Sequence, residues 1–201
     1  TYENNRLPRN IALIAARKTV DWNQSGDQVA MMLEAWDNKD RWIVTVDFDK
    51  SRLVSQHKYH DTAWVNYSFN EFGWLDKQNS LYFLSEESGY SQLYVKPLNK
   101  KHKALTQGNY VVSSLTVSDD EQHIYYKANK KHPGIYEIYR VDVNSGESQA
   151  LTDLGGMNDY SLSPDETKLL VQHSKVTMPP ELYVQSIEQP TKVKRITNTV
   201  S

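Results

Sequence analysis

The stretch that decides the fold is residues 81–106, LYFLSEESGYSQLYVKPLNKKHKALT. It contains two short apolar strands, Leu81–Phe83 and Leu93–Val95, separated by a loop that includes Gly89. Strands of this length, rich in aromatic and β-branched residues and bounded by turn formers, are typical of a hairpin. The dipeptide Leu105-Thr106 then closes the stretch. The stretch therefore predicts a small antiparallel unit.

The same three markers recur along the chain with one period. The first strand recurs 43 and then 45 residues on, as Leu81–Phe83, Ile124–Tyr126 and Leu169–Val171. The second recurs as Leu93–Val95, Ile138–Val141 and Leu182–Val184. The closing threonines are 46 and 45 residues apart, at Thr106, Thr152 and Thr197. A period of 40–50 residues with about four short strands is typical of a β-propeller. A β-sandwich, the alternative, has no such long-range period.

A weaker copy of the unit precedes these three. Residues 28–32 and 41–46 occupy its two strand positions, and Val29 lies 52 residues before Leu81. The excess over the usual period predicts an extended loop at 57–65. The sequence thus predicts an all-β chain that is part of a single β-propeller domain over residues 1–201, a partial propeller of about four blades. The expected blades are residues 11–56, 66–107, 111–153 and 157–198.

Composition excludes several classes of protein. There are 23 basic and 25 acidic residues, so the chain has no electrostatic footprint for nucleic acid. No apolar run approaches the roughly 20 residues that span a bilayer, so no membrane partner is expected. Cysteine is absent, which rules out a disulfide framework or a thiolate nucleophile. No cofactor is expected.

Two parts of the chain resemble a known family. Residues 69–75 and 81–94, followed by residues 162–165 and 178–184 of the last unit, resemble the propeller of the prolyl oligopeptidase and dipeptidyl peptidase IV serine peptidases. The resemblance covers about residues 11–198. In that family the propeller caps an α/β-hydrolase domain that carries the catalytic Ser, Asp and His. The resemblance implies that this chain holds the C-terminal blades, with the hydrolase domain absent.

The implied function is that of a non-catalytic propeller fragment of a dipeptidyl-peptidase-like serine exopeptidase. It would gate and shape substrate access to the hydrolase domain. The alternative is a free-standing TolB-like or WD-type propeller that binds a protein or peptide through its loops. The implied partners are the parent's peptide substrate and the C-terminal hydrolase domain, with homodimerisation through open propeller ends as a further idea. The resemblance implies a periplasmic or secreted protein, and a cytoplasmic one is the alternative.

Two motifs are near misses for catalytic or metal chemistry. Residues 89–93 and 146–150 lack the second glycine of a nucleophile elbow, so no catalytic residue is expected here. Residues 57–61, His-Lys-Tyr-His-Asp, offer two imidazoles and a carboxylate, and the other histidines are scattered. Because zinc requires three or four ligands, this stretch is interpreted as a polar loop, and no metal site is predicted.

Two further stretches concern the substrate. Dipeptidyl peptidases hold a substrate's amino terminus with paired glutamates from a different segment, so Glu86-Glu87 is interpreted as a solvated hairpin. Residues 66–71 resemble a family stretch that reaches toward the substrate. Tyr67, Phe69 and Glu71 are therefore predicted to face the substrate. The alternative is that Phe69 and Phe72 fill a blade interface.

Overall fold

The computed structural model describes residues 19–190 and 192–199. These residues form sixteen β-strands and one 3₁₀ turn at Asp76–Gln78, with no α-helix among them. Within this part of the chain, no helix has the length and apolar character needed to cross a membrane. Residues 11–18 of the first predicted blade lie outside the described residues. The chain divides after Leu105 into two compact units, and each is described by itself.

The first unit contains two four-stranded antiparallel meanders, in which each strand pairs with the next along the chain. The strands of the first meander are β1 Val20–Trp22, β2 Val29–Glu34, β3 Asp40–Asp47 and β4 Arg52–His60. Those of the second are β5 Phe72–Leu75, β6 Ser80–Ser85, β7 Gln92–Pro97 and β8 Lys103–Ala104.

The two meanders of the first unit share a core because their strands alternate between two buried faces. Ile43 on β3 packs with Phe72, Leu81 and Phe83 of the second meander. Its neighbour Trp42 points the other way, into a separate buried cluster with Leu33 and Val44. Successive side chains of a strand face opposite sides, so the apolar run Trp42–Val44 of β3 is buried on both faces. The Trp74 indole also donates a hydrogen bond to the carbonyl of Asp21, 3.0 Å away.

The second unit repeats the arrangement. The strands of the third meander are β9 Val112–Val117, β10 His123–His132, β11 Ile135–Asp142 and β12 Ser148–Ala150. Those of the fourth are β13 Met157–Leu162, β14 Lys168–Lys175, β15 Met178–Ser186 and β16 Val193–Arg195. One parallel pair, Tyr136 with Met157, connects β11 to β13. Side chains from both meanders form one core, namely Tyr125, Ile138, Leu151, Leu169, Val171 and Ile187.

The closing threonines of the sequence repeat hold the last strand of each meander in the second unit. Thr152 donates from its hydroxyl to Glu137 on β11 and accepts from the backbone N–H of Ile138, 2.9 Å away. In the fourth meander Thr197 donates to Glu181 on β15 and accepts from the N–H of Leu182 at 2.8 Å. We call each pair, Glu137–Thr152 and Glu181–Thr197, a Thr–Glu latch. In the sequence repeat, Gln92 and Thr106 stand at the corresponding positions.

The fold corrects one predicted boundary. Residues 57–60 were expected in an extended loop at 57–65, but they belong to β4, which runs to His60. They pair with β3 in register, His57 opposite Ile43 and His60 opposite Asp40, across a bulge at Ile43/Val44. The polar residues of this strand concealed it, because its ends lack the apolar alternation by which a strand is recognised. The irregular connection to the second meander is therefore residues 61–71.

We expect Thr152→Val to destabilise the second unit by about 1–3 kcal/mol, because the buried Glu137 carboxylate and the Ile138 N–H both lose a partner. Thr177→Val makes the same chemical change at an exposed turn and should shift the free energy of unfolding by less than about 0.5 kcal/mol. Urea unfolding of both variants measures the difference. Equal midpoints for the two variants would show that the latch contributes nothing.

We expect Glu181→Gln to destabilise the second unit at neutral pH and to have little effect on its stability in acid. Hydrogen bonds, first from the Thr197 hydroxyl and then from Thr199 and Arg195, outweigh burial and lower the pKa of Glu181 to about 2. A lowered folded pKa stabilises the fold above the unfolded value of about 4.3, and this contribution disappears as the pH falls toward 2.

The gap between the wild-type and Glu181→Gln urea midpoints should therefore be largest near neutral pH and shrink through this acidic window. Glu188→Gln, at an exposed position, is the matched control and should follow the wild type at every pH. A gap that stays constant down to about pH 2 would contradict the role assigned to the carboxylate.

Candidate functional site

The loop at residues 61–71 begins at an aspartate turn. One carboxylate oxygen of Asp61 accepts hydrogen bonds from the backbone N–H groups of Ala63 and Trp64, at 2.7 and 3.1 Å. The other accepts from the Tyr59 hydroxyl at 3.2 Å. The two backbone hydrogen bonds are the main reason that the pKa of Asp61 is lowered. Aspartate commonly starts a turn in this way, and here it redirects the chain out of β4.

Arg41 holds the second half of the same loop in place through contacts that we call the Arg41 clamp. Its guanidinium donates to the carbonyls of Phe69 and Asn66, at 2.5 and 2.7 Å, and forms an ion pair with Glu34 at 3.0 Å. The Arg41 side chain is almost completely buried. Hydrogen bonds from a charged donor are about twice as strong as neutral ones, so these contacts fix the loop backbone. The sequence reasoning did not identify Arg41, because its partners lie 25 and 28 residues away.

The three residues predicted to face the substrate lie on or next to this clamped loop, and all three are half-buried. The Tyr67 hydroxyl donates to the side-chain oxygen of Asn38, so part of its polar capacity is used within the fold. Phe72 belongs to the buried core of the first unit, as the alternative interpretation expected. A substrate-facing role for Tyr67, Phe69 and Glu71 stays a prediction.

A pocket of about 280 Å³ lies beside the loop. Its lining residues are Tyr59, Asp61, Ala63, Trp64, Asn66, Glu86 and Gly89. It combines two carboxylates with two aromatic rings, and Trp64 is 67% exposed at its rim. Burial raises the pKa of Glu86, against the opposing effects of the Asn66 backbone N–H and of Arg41. Carboxylates and aromatic faces both attract cations, so the pocket is suited to an ammonium or guanidinium group.

Glu87 belongs to a different cluster from Glu86. One of its carboxylate oxygens lies 2.6 Å from Nε2 of His57, and the other lies 2.8 Å from Nε2 of His102. The Ser85 hydroxyl donates to the first of these oxygens at 3.2 Å. The interpretation of Glu86-Glu87 as a solvated hairpin is incomplete, since Glu87 is exposed but Glu86 is half-buried, and the Glu87 carboxylate also has two histidine partners. Both residues lie in the β6–β7 hairpin, as predicted.

The surroundings of this cluster are apolar on one side. The His57 ring lies 4.3 Å from the ring of Phe83, and the His102 ring lies 5.5 Å from that of Tyr94. Burial alone would raise the pKa of Glu87, but hydrogen bonds from His57 and His102 outweigh it and lower the pKa to about 2. Glu87 is therefore a carboxylate at neutral pH. Ligand atoms of His57, Glu87 and His102 all lie within 4.8 Å of one another, an arrangement that could hold a metal ion.

Sequence reasoning missed this cluster for a physical reason. Its members are separated by 30 and 15 residues, far from the spacing of any short metal motif. His57 comes from the first meander, and Glu87 and His102 come from the second. Only the stacking of two meanders brings them together. The polar loop predicted for residues 57–61 is also wrong, because residues 57–60 lie in β4.

The two near misses for a nucleophile elbow lie in hairpins, as predicted. Ser91 is buried just before β7. Ser148 begins β12, where its hydroxyl is 2.5 Å from the Tyr126 hydroxyl and accepts from the Lys130 ammonium at 3.0 Å. Burial lowers the pKa of Lys130 to about 8. These contacts connect β12 to β10.

The stacked antiparallel meanders define an all-β, β-propeller-like chain. Residues 15–180 match the family model described as "Dipeptidyl peptidase IV (DPP IV) N-terminal region". The chain belongs to this family, which confirms the resemblance seen in the sequence. Its fold is similar to that of dipeptidyl peptidase 4 from Porphyromonas gingivalis, a crystal structure matched with a TM-score of 0.74 and 17% identity. The match covers 90% of this chain and 26% of that one, so this chain spans about a quarter of its length.

Arg41→Met should release the 61–71 loop while leaving the strands in place. Loss of the charged hydrogen bonds to Asn66 and Phe69 should lower amide-exchange protection across residues 64–69 by about tenfold or more. Arg52→Met is the matched control, because Arg52 is exposed and pairs with Asp47 on the surface. Hydrogen exchange followed by mass spectrometry measures both variants. Unchanged protection in Arg41→Met would contradict the clamp.

Proposed function

We propose that this chain is a propeller segment of a dipeptidyl-peptidase-like serine peptidase and that it shapes substrate access to a hydrolase domain outside the chain. The observation that carries the proposal is the family match over residues 15–180. The shared fold with a dipeptidyl peptidase 4 over 90% of this chain supports it. In this proposal the chain positions the substrate, and acyl transfer occurs elsewhere in the protein.

The four meanders are, in this proposal, four blades of one larger propeller. Two features support this assignment. Each meander has the four antiparallel strands of a blade, and within each unit the apolar faces of neighbouring meanders pack together. The match to only 26% of the P. gingivalis protein is also expected of a segment. The proposed partners are a peptide substrate and the hydrolase domain, and the proposed compartment is the periplasm or the exterior of the cell.

The pocket beside the 61–71 loop is the proposed point of contact with the substrate. Its volume of about 280 Å³ is small for a whole ligand, but it suits one side chain of a peptide. Asp61 and Glu86 give it negative charge, and Trp64 and Tyr59 supply aromatic surface. A lysine or arginine side chain combines a cationic head with an apolar stem, which matches both features. The Arg41 clamp holds this surface in one conformation, so less entropy is lost when a peptide binds.

The test uses the full-length protein from the gene that encodes this chain, with a peptide series that places lysine or norleucine at each position around a proline cleavage site. We expect the full-length protein to hydrolyse the peptides and the isolated 201-residue chain to be inactive. Glu86→Gln should lower the lysine-to-norleucine ratio of kcat/KM by about tenfold at one position, because one of the two carboxylates is neutralised.

Glu188→Gln, which changes an exposed glutamate in the second unit, should leave that ratio unchanged. An unaltered ratio in Glu86→Gln would contradict the substrate role of the pocket. A full-length protein without peptidase activity would contradict the proposal as a whole and would favour a free-standing binding module.

A further inference from the structure

The cluster of His57, Glu87 and His102 has the composition of a transition-metal site. Two imidazoles and one carboxylate are a known ligand set for zinc, which binds three protein ligands and leaves a fourth position open. Zinc binds the deprotonated forms of these side chains, a neutral imidazole nitrogen or a carboxylate oxygen.

The distances between the ligand atoms suit the replacement of two hydrogen bonds by metal–ligand bonds. Nε2 of His57 and Nε2 of His102 each lie within hydrogen-bond distance of a different oxygen of Glu87, at 2.6 and 2.8 Å. In a tetrahedral site with bonds near 2.1 Å, neighbouring ligand atoms are about 3.4 Å apart. Each contact therefore needs to lengthen by only about 0.6–0.8 Å. The hydrogen of each imidazole then moves to Nδ1, and Nε2 provides the lone pair.

The support around the three ligands is that of a built site. The His57 side chain is only 4% exposed, and Phe83 packs against its ring. The Ser85 hydroxyl donates to the same Glu87 oxygen that faces His57, and this hydrogen bond helps to orient the ligand. The Glu87 and His102 side chains are 29% and 34% exposed, so a metal has a route of entry from solvent.

We propose that His57, Glu87 and His102 form a zinc site that joins the first meander to the second. His57 lies on β4, whereas Glu87 and His102 come from the hairpin before β7 and the turn before β8. A metal bound by all three therefore adds a cross-link between two sheets that share an apolar core and the Trp74–Asp21 hydrogen bond. Zinc held by three protein ligands keeps a fourth coordination position, which water or a small anionic group can occupy. This site does not depend on the proposed peptidase function.

The test is calorimetric titration of the purified, chelator-treated chain with zinc chloride at neutral pH. We expect one zinc per chain. His102→Ala should weaken binding at least tenfold, because two ligands remain. Glu87→Gln should weaken it similarly while its amide still hydrogen-bonds the two histidines, so the local fold is kept. Thermal unfolding should show a zinc-dependent rise in Tm for the wild type that both variants lose.

His60→Ala is the matched control. His60 forms a similar pair with a carboxylate, 2.8 Å from Asp40, but belongs to no described cluster of three ligands. The His60→Ala variant should bind zinc as tightly as the wild type does. Cobalt(II) is a second probe, because tetrahedral coordination by His57, Glu87 and His102 gives visible absorption bands that His102→Ala should abolish. Wild-type binding no tighter than that of His102→Ala would overturn the proposal and leave a purely hydrogen-bonded cluster.

Discussion

The structure depends on one constraint, which is that a four-stranded antiparallel meander cannot bury its own apolar faces. Each strand of a meander alternates its side chains between two sides, and β3 carries buried apolar side chains on both, with Ile43 on one and Trp42 on the other. The first side is covered by Phe72 and Leu81 of the next meander. In the second unit, Tyr125 of the third meander is buried in one core with Leu169 and Val171 of the fourth. Each repeat of about 45 residues in the sequence corresponds to one such meander.

The Thr–Glu latch explains why the third marker of the repeat keeps its register. The last strand of a meander has only a few ladder hydrogen bonds, three residue pairs in β12 and three in β16. A threonine that both accepts from a backbone N–H and donates to a buried glutamate adds two buried interactions at that edge. The leucine or isoleucine before it donates back to the neighbouring strand, as Ile196 does to Leu182 at 2.7 Å. A structural role thus accounts for a sequence signal that could have suggested chemistry.

Repeats and strands could be predicted from the sequence because they rest on local alternation and on a long-range period. The family resemblance rested on the same stretches and is confirmed. The site could not be predicted in this way. Arg41 reaches Asn66 and Phe69 through tertiary structure alone, and Glu87 meets His57 only because two meanders stack. Residues that are adjacent in sequence can also belong to different sites, since Glu86 lines the pocket whereas Glu87 contacts His57 and His102. The error at 57–60 has the same origin, because polar residues in β4 are ordered by pairing with β3.

The most direct test of the proposed function is a structure of the full-length protein with a product dipeptide or a peptide-like inhibitor bound. The proposal predicts that a lysine or arginine side chain of the ligand occupies the pocket between Asp61, Trp64 and Glu86, with the 61–71 loop held by Arg41. It also predicts that this chain forms consecutive blades of a propeller facing the hydrolase domain. A ligand bound to that domain with this pocket facing bulk solvent would contradict the assigned role.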